Sequence, residues 1–282
     1  MRRQLGNGIM ARDMSYSLLD LYLRYRTALP LASFLLYLNT TIMVSGRIST
    51  GSVLCALSFF ALYELIYAYD ARFRNREDVV NIPGGRVVRH SSWRLLAAAA
   101  VPVYILAAAG FLQLLMYAAV VMIVYSDPRL FPKRFKAIPG LKVLANMLNF
   151  WTVGILAPVI YQYGFSVSIF IPVLKSSIHF LILLFCLNVL ADIRDVTGDR
   201  EAGVWTFPAV LGVPASVLLV IVLLTAAAMV SLVQGEYGGG FLSASLAVFS
   251  FLTLKPRARL YYEWVFGFTN VYLVAVLIYR LH

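Results

Sequence analysis

The sequence predicts an all-α integral membrane protein: a bundle of about nine transmembrane helices around a central cavity, capped by cytoplasmic loops. Two observations lead to this class. Of the 282 residues, 61% are hydrophobic and only 13% are charged, whereas soluble domains are about 25% charged. The apolar residues also form continuous runs, which excludes a membrane β-barrel with its alternating pattern. We expect a single membrane domain over 1–282, with 1–27 as an N-terminal cytoplasmic segment.

Nine apolar stretches account for this helix count, since a membrane-spanning helix needs about 20 apolar residues. The stretches lie at 29–46, 50–71, 93–109, 111–126, 143–162, 166–191, 207–233, 240–254 and 261–280. The third and fourth stretches meet at Gly110. We expect a tight turn there, because glycine readily adopts the backbone angles that such turns require.

The basic residues indicate the orientation of the bundle. All 24 lysines and arginines except Arg47, Lys175 and Arg280 lie on one side of a nine-helix topology. The positive-inside rule therefore predicts a cytoplasmic N-terminus, in a protein that we expect in the plasma membrane and in contact with anionic lipid. No nucleic-acid partner is expected, because no recognisable binding module is present. The N-terminus also lacks the pattern of a secretory signal, and two cysteines within apolar stretches make no disulfide framework.

Acidic residues gather where the sixth stretch ends. If its helix continues, one face carries the positions i, i+4, i+7 and i+11, which are Asn188, Asp192, Asp195 and Asp199. Like charges on one helix face repel unless a cation holds them. Carboxylates are ligands that Mg²⁺ prefers, usually together with the phosphate oxygens of a substrate. This stripe is therefore a candidate metal site, and the alternative is a solvated helix end balanced by nearby arginines.

A second acidic group lies at the end of the second stretch, on the same side of the membrane. Asp70, Arg74 and Asp78 share one helix face, and Pro83 with the following glycines ends the segment. Ionisable residues near membrane depth are functional candidates by default. We therefore expect the two acidic groups to face one another across the cavity.

Residues 192–208 resemble the second aspartate-rich motif of the UbiA superfamily of intramembrane prenyltransferases, approximately KDIxDxxGDxxxGxxTxP. The matching residues are Asp192, Ile193, Asp195, Gly198, Asp199, Gly203, Thr206 and Pro208. The chain departs from the motif in two places. Ala191 replaces a basic residue, and Val204-Trp205 replace the usual basic pair.

The family's first motif, NxxxDxxxD followed by xxNxP, is only partly matched. Asp78, Asn81 and Pro83 agree with its end, whereas Asp70 stands in place of the asparagine and Arg74 in place of the central aspartate. Arg74 leaves two alternatives: it contacts the diphosphate in place of one metal ion, or this cluster is structural and the activity is weak or altered.

A third stretch, before the fifth apolar segment, is also similar to the family. It contains Tyr125, then Lys133-Arg134, then Ile138-Pro139 and Lys142. The position of Lys142 in this stretch makes it the strongest candidate for a cation that pairs with phosphate oxygens.

The resemblance implies Mg²⁺-dependent transfer of an isoprenoid chain from an allylic polyprenyl diphosphate to a lipophilic or aromatic acceptor within the membrane. It implies that the catalytic, metal-binding residues are Asp70, Asp78, Asp192, Asp195 and Asp199. Contacts to substrate are expected from Arg74, Asn81, Arg86, Tyr125, Lys133, Arg134, Lys142, Asn146, Asn188 and Arg200. For Asn146, a polar contact between helices remains equally open. Aromatic rings facing the allylic cation would come from Tyr67, Tyr69, Tyr125, Phe150, Trp151 or Tyr161.

Three other functions remain open from the sequence. One is a terpene cyclase on the same scaffold, and another is a catalytically altered family member. The third is a non-enzymatic transporter, which predicts inverted repeats and helices broken at mid-membrane. Neither feature is clear in this sequence.

Overall fold

The computed structural model describes residues 28–70, 92–126, 138, 140–254 and 259–281. Within these residues every regular element is a helix, and no strand occurs among them. The prediction of an all-α bundle is confirmed.

The helices follow the predicted apolar stretches closely. They are α1 (Ala28–Ser45), α2 (Thr50–Asp70), α3 (Ser92–Ala108), α4 (Leu112–Ser126), α5 (Leu141–Trp151), a π-helical turn (Thr152–Leu156), α6 (Ala157–Tyr163), α7 (Val167–Ser176), α8 (Ile178–Glu201), α9 (Phe207–Leu211), α10 (Val213–Val233), α11 (Tyr237–Phe251), a 3₁₀ turn (Leu252–Leu254) and α12 (Arg259–Leu281).

Many of these helices are long and apolar enough to cross a membrane. Among the described residues, five spans qualify by length and composition: Thr50–Tyr69, Leu141–Tyr163, Val213–Val233, Tyr237–Leu254 and Tyr261–Leu281. Helices α7 and α8 together make a sixth candidate, and three shorter apolar helices lie at Pro30–Ser45, Trp93–Ala108 and Leu112–Val121. The shorter helices fall within the first, third and fourth predicted stretches. Nine crossings therefore remain the prediction, and a multi-pass membrane protein is what the spans indicate.

The outer surface and the interior differ in a way that suits a lipid environment. Large apolar side chains such as Leu96, Val222 and Met229 are exposed on the outside of the bundle. Lipid is as apolar as leucine, so helices associate in it through close packing of small residues. Gly240 of α11 shows such packing, because a Cβ there would lie 3.2 Å from the Leu232 side chain and 3.4 Å from the Ala228 carbonyl oxygen of α10.

Several helices converge on one end of the bundle, which we call the acidic end and define as the end at which α8 finishes. Helix α12 reaches this end, because its Glu263 pairs with Arg194 of α8. Helix α1 begins there too, because Asn270 of α12 donates a 2.9 Å hydrogen bond to the Ala28 carbonyl. Helix α2 runs back along α1, with Tyr37 packed on Phe59 at a ring distance of 6.0 Å. The last residue of α2, Asp70, therefore lies toward the acidic end.

The predicted turn at Gly110 is confirmed. Gly110 has a φ of +86°, in the left-handed region that favours glycine. The amide of the next residue, Phe111, donates to the Leu106 carbonyl at 2.9 Å, and the Phe111 ring packs edge-on against Phe59 at 5.3 Å. The third and fourth stretches are thus two helices joined by a tight turn.

The sixth predicted stretch, by contrast, is not one straight helix. Helices α7 and α8 meet at a 70° bend, where Ser177 leaves helical geometry with φ −108° and ψ 14°. The Ser177 hydroxyl donates to the Val173 carbonyl at 2.6 Å and accepts from the Trp151 indole nitrogen at 2.7 Å. A serine that bonds back to its own helix favours bending, and the indole of α5 fixes the bend from outside.

Helix α5 continues into α6 through the π-helical turn, where α1 packs unusually close. A Cβ at Gly154 would lie 2.7 Å from Leu36 Cδ2 and 2.9 Å from Leu36 Cγ. Such π-helical turns insert one residue into a helix and often mark functional regions. Here the turn presents a glycine to α1 and so brings the two backbones together.

We expect Gly154→Ala to lower the free energy of unfolding by about 1–3 kcal/mol, the usual effect of overpacking. Leu36→Ala removes Cγ and Cδ2, the two closest atoms, and leaves Cβ at 3.1 Å, so Gly154→Ala should be better tolerated in that background. Thermal unfolding of the four proteins in detergent measures the effect. Equal losses in both backgrounds would contradict the packing described here.

Candidate functional site

The predicted polar stripe lies on one continuous helix. Helix α8 extends to Glu201, so Asn188, Asp192, Asp195 and Asp199 share a face, as the spacing predicted. All four are buried, with exposed fractions of 4%, 2%, 9% and 2%. Taking a carboxylate out of water costs several kcal/mol unless it is paired. The three aspartates therefore need cations.

Lys142 supplies one of these cations. Its Nζ lies 2.6 Å from Asp192 Oδ1 and 3.5 Å from Asp199 Oδ2. The lysine sits in the first turn of α5, after Gly140, whose φ of +73° starts the helix at this point. One ammonium group is thus shared unequally by two buried carboxylates, and its side chain keeps 21% of its surface exposed.

Asp192 retains an unsatisfied atom. Its second oxygen, Oδ2, is buried and has no hydrogen-bond partner. A buried acceptor without a partner is costly, and buried polar atoms in native structures are rarely left so. This oxygen identifies a position where a further cation or donor fits.

Arg194 supplies the second cation. Its Nε and Nη2 donate to the two oxygens of Asp195 at 2.9 and 2.7 Å. Its Nη1 donates to Glu263 Oε1 of α12 at 2.9 Å. The three side chains are 9%, 12% and 5% exposed, so one guanidinium connects two buried carboxylates from different helices.

Glu263 was not among the predicted site residues. It is the single acidic residue in the apolar stretch 261–280, and an ionisable residue in such a stretch is a signal of function. Its partner lies 69 positions earlier in the chain, which the pattern of a single helix does not reveal.

The aspartates do not by themselves form a ready metal cluster. Among the residues that the structure describes, no three carboxylate, imidazole or thiolate groups converge closely enough to hold an ion. Instead Lys142 and Arg194 divide the carboxylates between them. The donor set nevertheless fits a hard divalent cation, because it consists of carboxylate oxygens and includes the unpartnered Asp192 Oδ2.

The second half of the motif ends the helix. Gly203 has a φ of +68°, its amide donates to the Arg200 carbonyl at 3.2 Å, and the Val204 amide donates to the Asp199 carbonyl at 2.8 Å. This pair of bonds is a Schellman motif, which needs glycine at its centre. Thr206 then precedes α9, with Pro208 in its first turn. These residues fix where Asp199 lies.

Two of the other predicted site residues donate to backbone carbonyls. Asn188 donates to the Leu184 carbonyl of its own helix at 2.8 Å, and Arg200 donates to the Pro208 carbonyl at 3.2 Å. Asn146 is half-buried, one turn after Lys142. The side chains of Asp70 and Tyr125 lie outside the described residues, as do the whole of Arg74, Asp78, Asn81, Arg86, Lys133 and Arg134. The predicted meeting of the two acidic groups thus stays a prediction.

An apolar cavity lies beside the part of α8 that precedes the stripe. It is lined along α8 by Leu187, Leu184 and Leu183, the residues that precede Asn188. Phe150 of α5 and Leu273 of α12 also line it. The open volume is about 20 Å³, room for about one water molecule. The bundle is therefore nearly closed here, and mostly apolar residues line the space.

The fold of this chain resembles those of several solved proteins. No family model and no curated protein matches the sequence. A UbiA homologue from Archaeoglobus fulgidus bound to GPP and Mg²⁺ matches in structure with a TM-score of 0.64 at 18% identity, over 91% of this chain and 99% of that one. The same homologue bound to DMAPP and Mg²⁺ matches with a TM-score of 0.62 at 17% identity, over 91% of this chain and 98% of that one. The apo structure of a UbiA homologue from Aeropyrum pernix K1 matches with a TM-score of 0.62 at 15% identity, over 92% of this chain and 99% of that one.

The shared ammonium group leads to a testable prediction. Lys142→Met should lower the free energy of unfolding by about 3 kcal/mol, the lower end for loss of one partner of a buried pair. Added Mg²⁺ should raise the melting temperature more in this variant than in the wild type, because no ammonium group competes for the carboxylates. Lys175→Met, which removes an exposed lysine, is the matched control. An unchanged melting temperature in Lys142→Met would show that the lysine does not hold the aspartates.

Proposed function

Because the chain has the fold of the UbiA homologues, we propose that it is an Mg²⁺-dependent intramembrane prenyltransferase. It transfers an isoprenoid chain from an allylic polyprenyl diphosphate to a lipophilic or aromatic acceptor. The observation that carries this proposal is the buried stripe of Asp192, Asp195 and Asp199, on the same helix as the leucines that line an apolar cavity. Helix α8 thus offers ligands for a charged head group and, earlier along the same helix, apolar side chains that a hydrocarbon chain would contact.

The carboxylate oxygens at this end favour a divalent cation. Lys142 and Arg194 contact four buried carboxylates, including that of Glu263. One of the buried oxygens, Asp192 Oδ2, has no hydrogen-bond partner. Mg²⁺ usually binds through one or two carboxylates plus substrate phosphate oxygens. In our proposal Asp192, Asp195 and Asp199 hold it, and the first acidic group, Asp70 and Asp78, faces them.

The ligands of the solved homologues support the same substrate class. The Archaeoglobus homologue was solved with GPP and Mg²⁺, and with DMAPP and Mg²⁺. Both organic ligands are allylic diphosphates. We therefore propose an allylic diphosphate as the donor for this chain, with its acceptor left to experiment.

The described residues have distinct tasks in this reaction. When bound, Mg²⁺ supplies electrostatic stabilisation of the departing diphosphate. Lys142 contacts Asp192 and stays partly exposed, and its ammonium would pair with a phosphate oxygen of the donor. Leu183, Leu184 and Leu187 exclude water from the allylic carbon. The ring of Phe150 lines the same cavity and is placed to face the positive charge that develops on the chain.

The basic residues outside the described part extend the same proposal. Arg86, Lys133 and Arg134 are proposed to pair with phosphate oxygens, and Arg74 is proposed to contact the diphosphate in place of one metal ion. We propose that the acidic end faces the cytoplasm, because the distribution of basic residues along the sequence predicts that side by the positive-inside rule. We propose the plasma membrane as the location and a single domain over 1–282 as the active unit.

A turnover screen tests the proposal directly. The detergent-solubilised protein is incubated with labelled geranyl, farnesyl and geranylgeranyl diphosphates, with and without Mg²⁺, and with quinone-type aromatic or glycerol-phosphate acceptors. We expect a prenylated acceptor only when Mg²⁺ is present. A cyclic hydrocarbon formed without any acceptor would identify a terpene cyclase instead, and no consumption of any diphosphate would contradict both enzymes.

The aspartates of the stripe give a specific prediction for this assay. Asp195→Asn and Asp199→Asn should each reduce Mg²⁺-dependent turnover by about a thousandfold, because the metal contributes several kcal/mol of transition-state stabilisation. Glu201→Gln is the control, since Glu201 is an exposed acid at the end of the same helix and lies off the stripe. Wild-type turnover in both aspartate variants would remove the stripe from the active site.

A further inference from the structure

The contact between Arg194 and Asp195 has an unusual geometry for a helix. Neighbouring residues on a helix point about 100° apart and do not normally face each other. Arg194 nevertheless grips both oxygens of Asp195 at 2.9 and 2.7 Å. Its side chain must therefore bend toward its neighbour, and something must hold the guanidinium in that position.

Glu263 is the group that holds it. Its Oε1 accepts from Arg194 Nη1 at 2.9 Å, from a different helix and with only 5% of its side chain exposed. The planar guanidinium is rigid, so fixing one end of the fork fixes the direction of the other. Glu263 thereby determines how the plane of the Asp195 carboxylate is oriented.

Such an arrangement resembles the outer shell of a metal site. Carboxylates that bind metals are themselves hydrogen-bonded by neighbours that orient them. A carboxylate has about four lone-pair positions, so the two arginine contacts are compatible with metal binding by Asp195. Glu263 also offsets the positive charge of Arg194, which would otherwise repel an incoming cation.

We infer that Glu263 is a positioning residue that acts through Arg194 to orient Asp195 as a ligand for the divalent cation. This inference rests on the proposed function, since it concerns the same metal. Glu263 itself contacts neither metal nor substrate. Its loss leaves Asp195 in place, paired with an arginine whose guanidinium is no longer held from α12.

Binding of Mn²⁺ measured by electron paramagnetic resonance tests the inference without turnover, because carboxylate sites accept Mn²⁺ in place of Mg²⁺. In Glu263→Gln the dissociation constant for Mn²⁺ should rise about 10- to 100-fold, as is usual when an outer-shell partner is lost. The Mg²⁺ concentration for half-maximal turnover should rise in parallel. The matched control is Glu236→Gln, which removes another arginine-paired acid, 3.6 Å from Arg280, far from the stripe.

Further variants separate positioning from direct ligation and from misfolding. Arg194→Lys keeps the positive charge but removes the planar guanidinium group, so it should also weaken Mn²⁺ binding about tenfold or more. The double variant Arg194→Gln/Glu263→Gln should bind Mn²⁺ no more weakly than Arg194→Gln alone, because Glu263 acts only through the arginine. Additive losses would overturn the inference by showing that Glu263 reaches the metal independently.

The remaining outcomes keep the two proposals distinct. If Glu263→Gln or Arg194→Lys binds Mn²⁺ as tightly as the wild type does, the positioning role is overturned and the prenyltransferase proposal still stands. A wild-type protein that neither binds Mn²⁺ nor consumes any allylic diphosphate would overturn both.

Discussion

The burial of negative charge at the end of α8 is the constraint on which the rest of the molecule depends. Asp192, Asp195 and Asp199 are each at most 9% exposed, and a buried carboxylate costs several kcal/mol without a partner. The compensating cations come from α5 and from α8 itself, and a further acid from α12 then balances the arginine. The three helices must therefore meet at this end for the chain to fold, and that meeting encloses the cavity beneath.

Arg194 and Lys142 pair with the buried carboxylates in different ways. Arg194 makes three hydrogen bonds of 2.9 Å or less to carboxylates, whereas Lys142 is close to Asp192 and 3.5 Å from Asp199. Lysine is a compact charge on a flexible stem, and arginine is a planar fork. The lysine contact to Asp199 is thus the weakest of these contacts, and the arginine contacts are the better defined ones.

The sequence was sufficient for features that repeat along one helix. Apolar runs located the helices, and the i, i+4, i+7 spacing located the buried stripe. It was insufficient wherever a partner lies far along the chain. The bend at Ser177 depends on the indole of Trp151, and the fork of Arg194 depends on Glu263. Lys142 was predicted as a phosphate contact from its position in a similar stretch, but its contact with Asp192 needed the packed bundle.

The structure also divides the motif at 192–208 into two physical parts. Gly203, Thr206 and Pro208 end one helix and begin the next, so any protein with this fold benefits from them, active or not. The aspartates are different, because replacing a buried ion pair by apolar residues is often neutral or stabilises a protein by about 1–4 kcal/mol. The helix end does not need these carboxylates. Their burial is a cost to folding that the proposed metal site would explain.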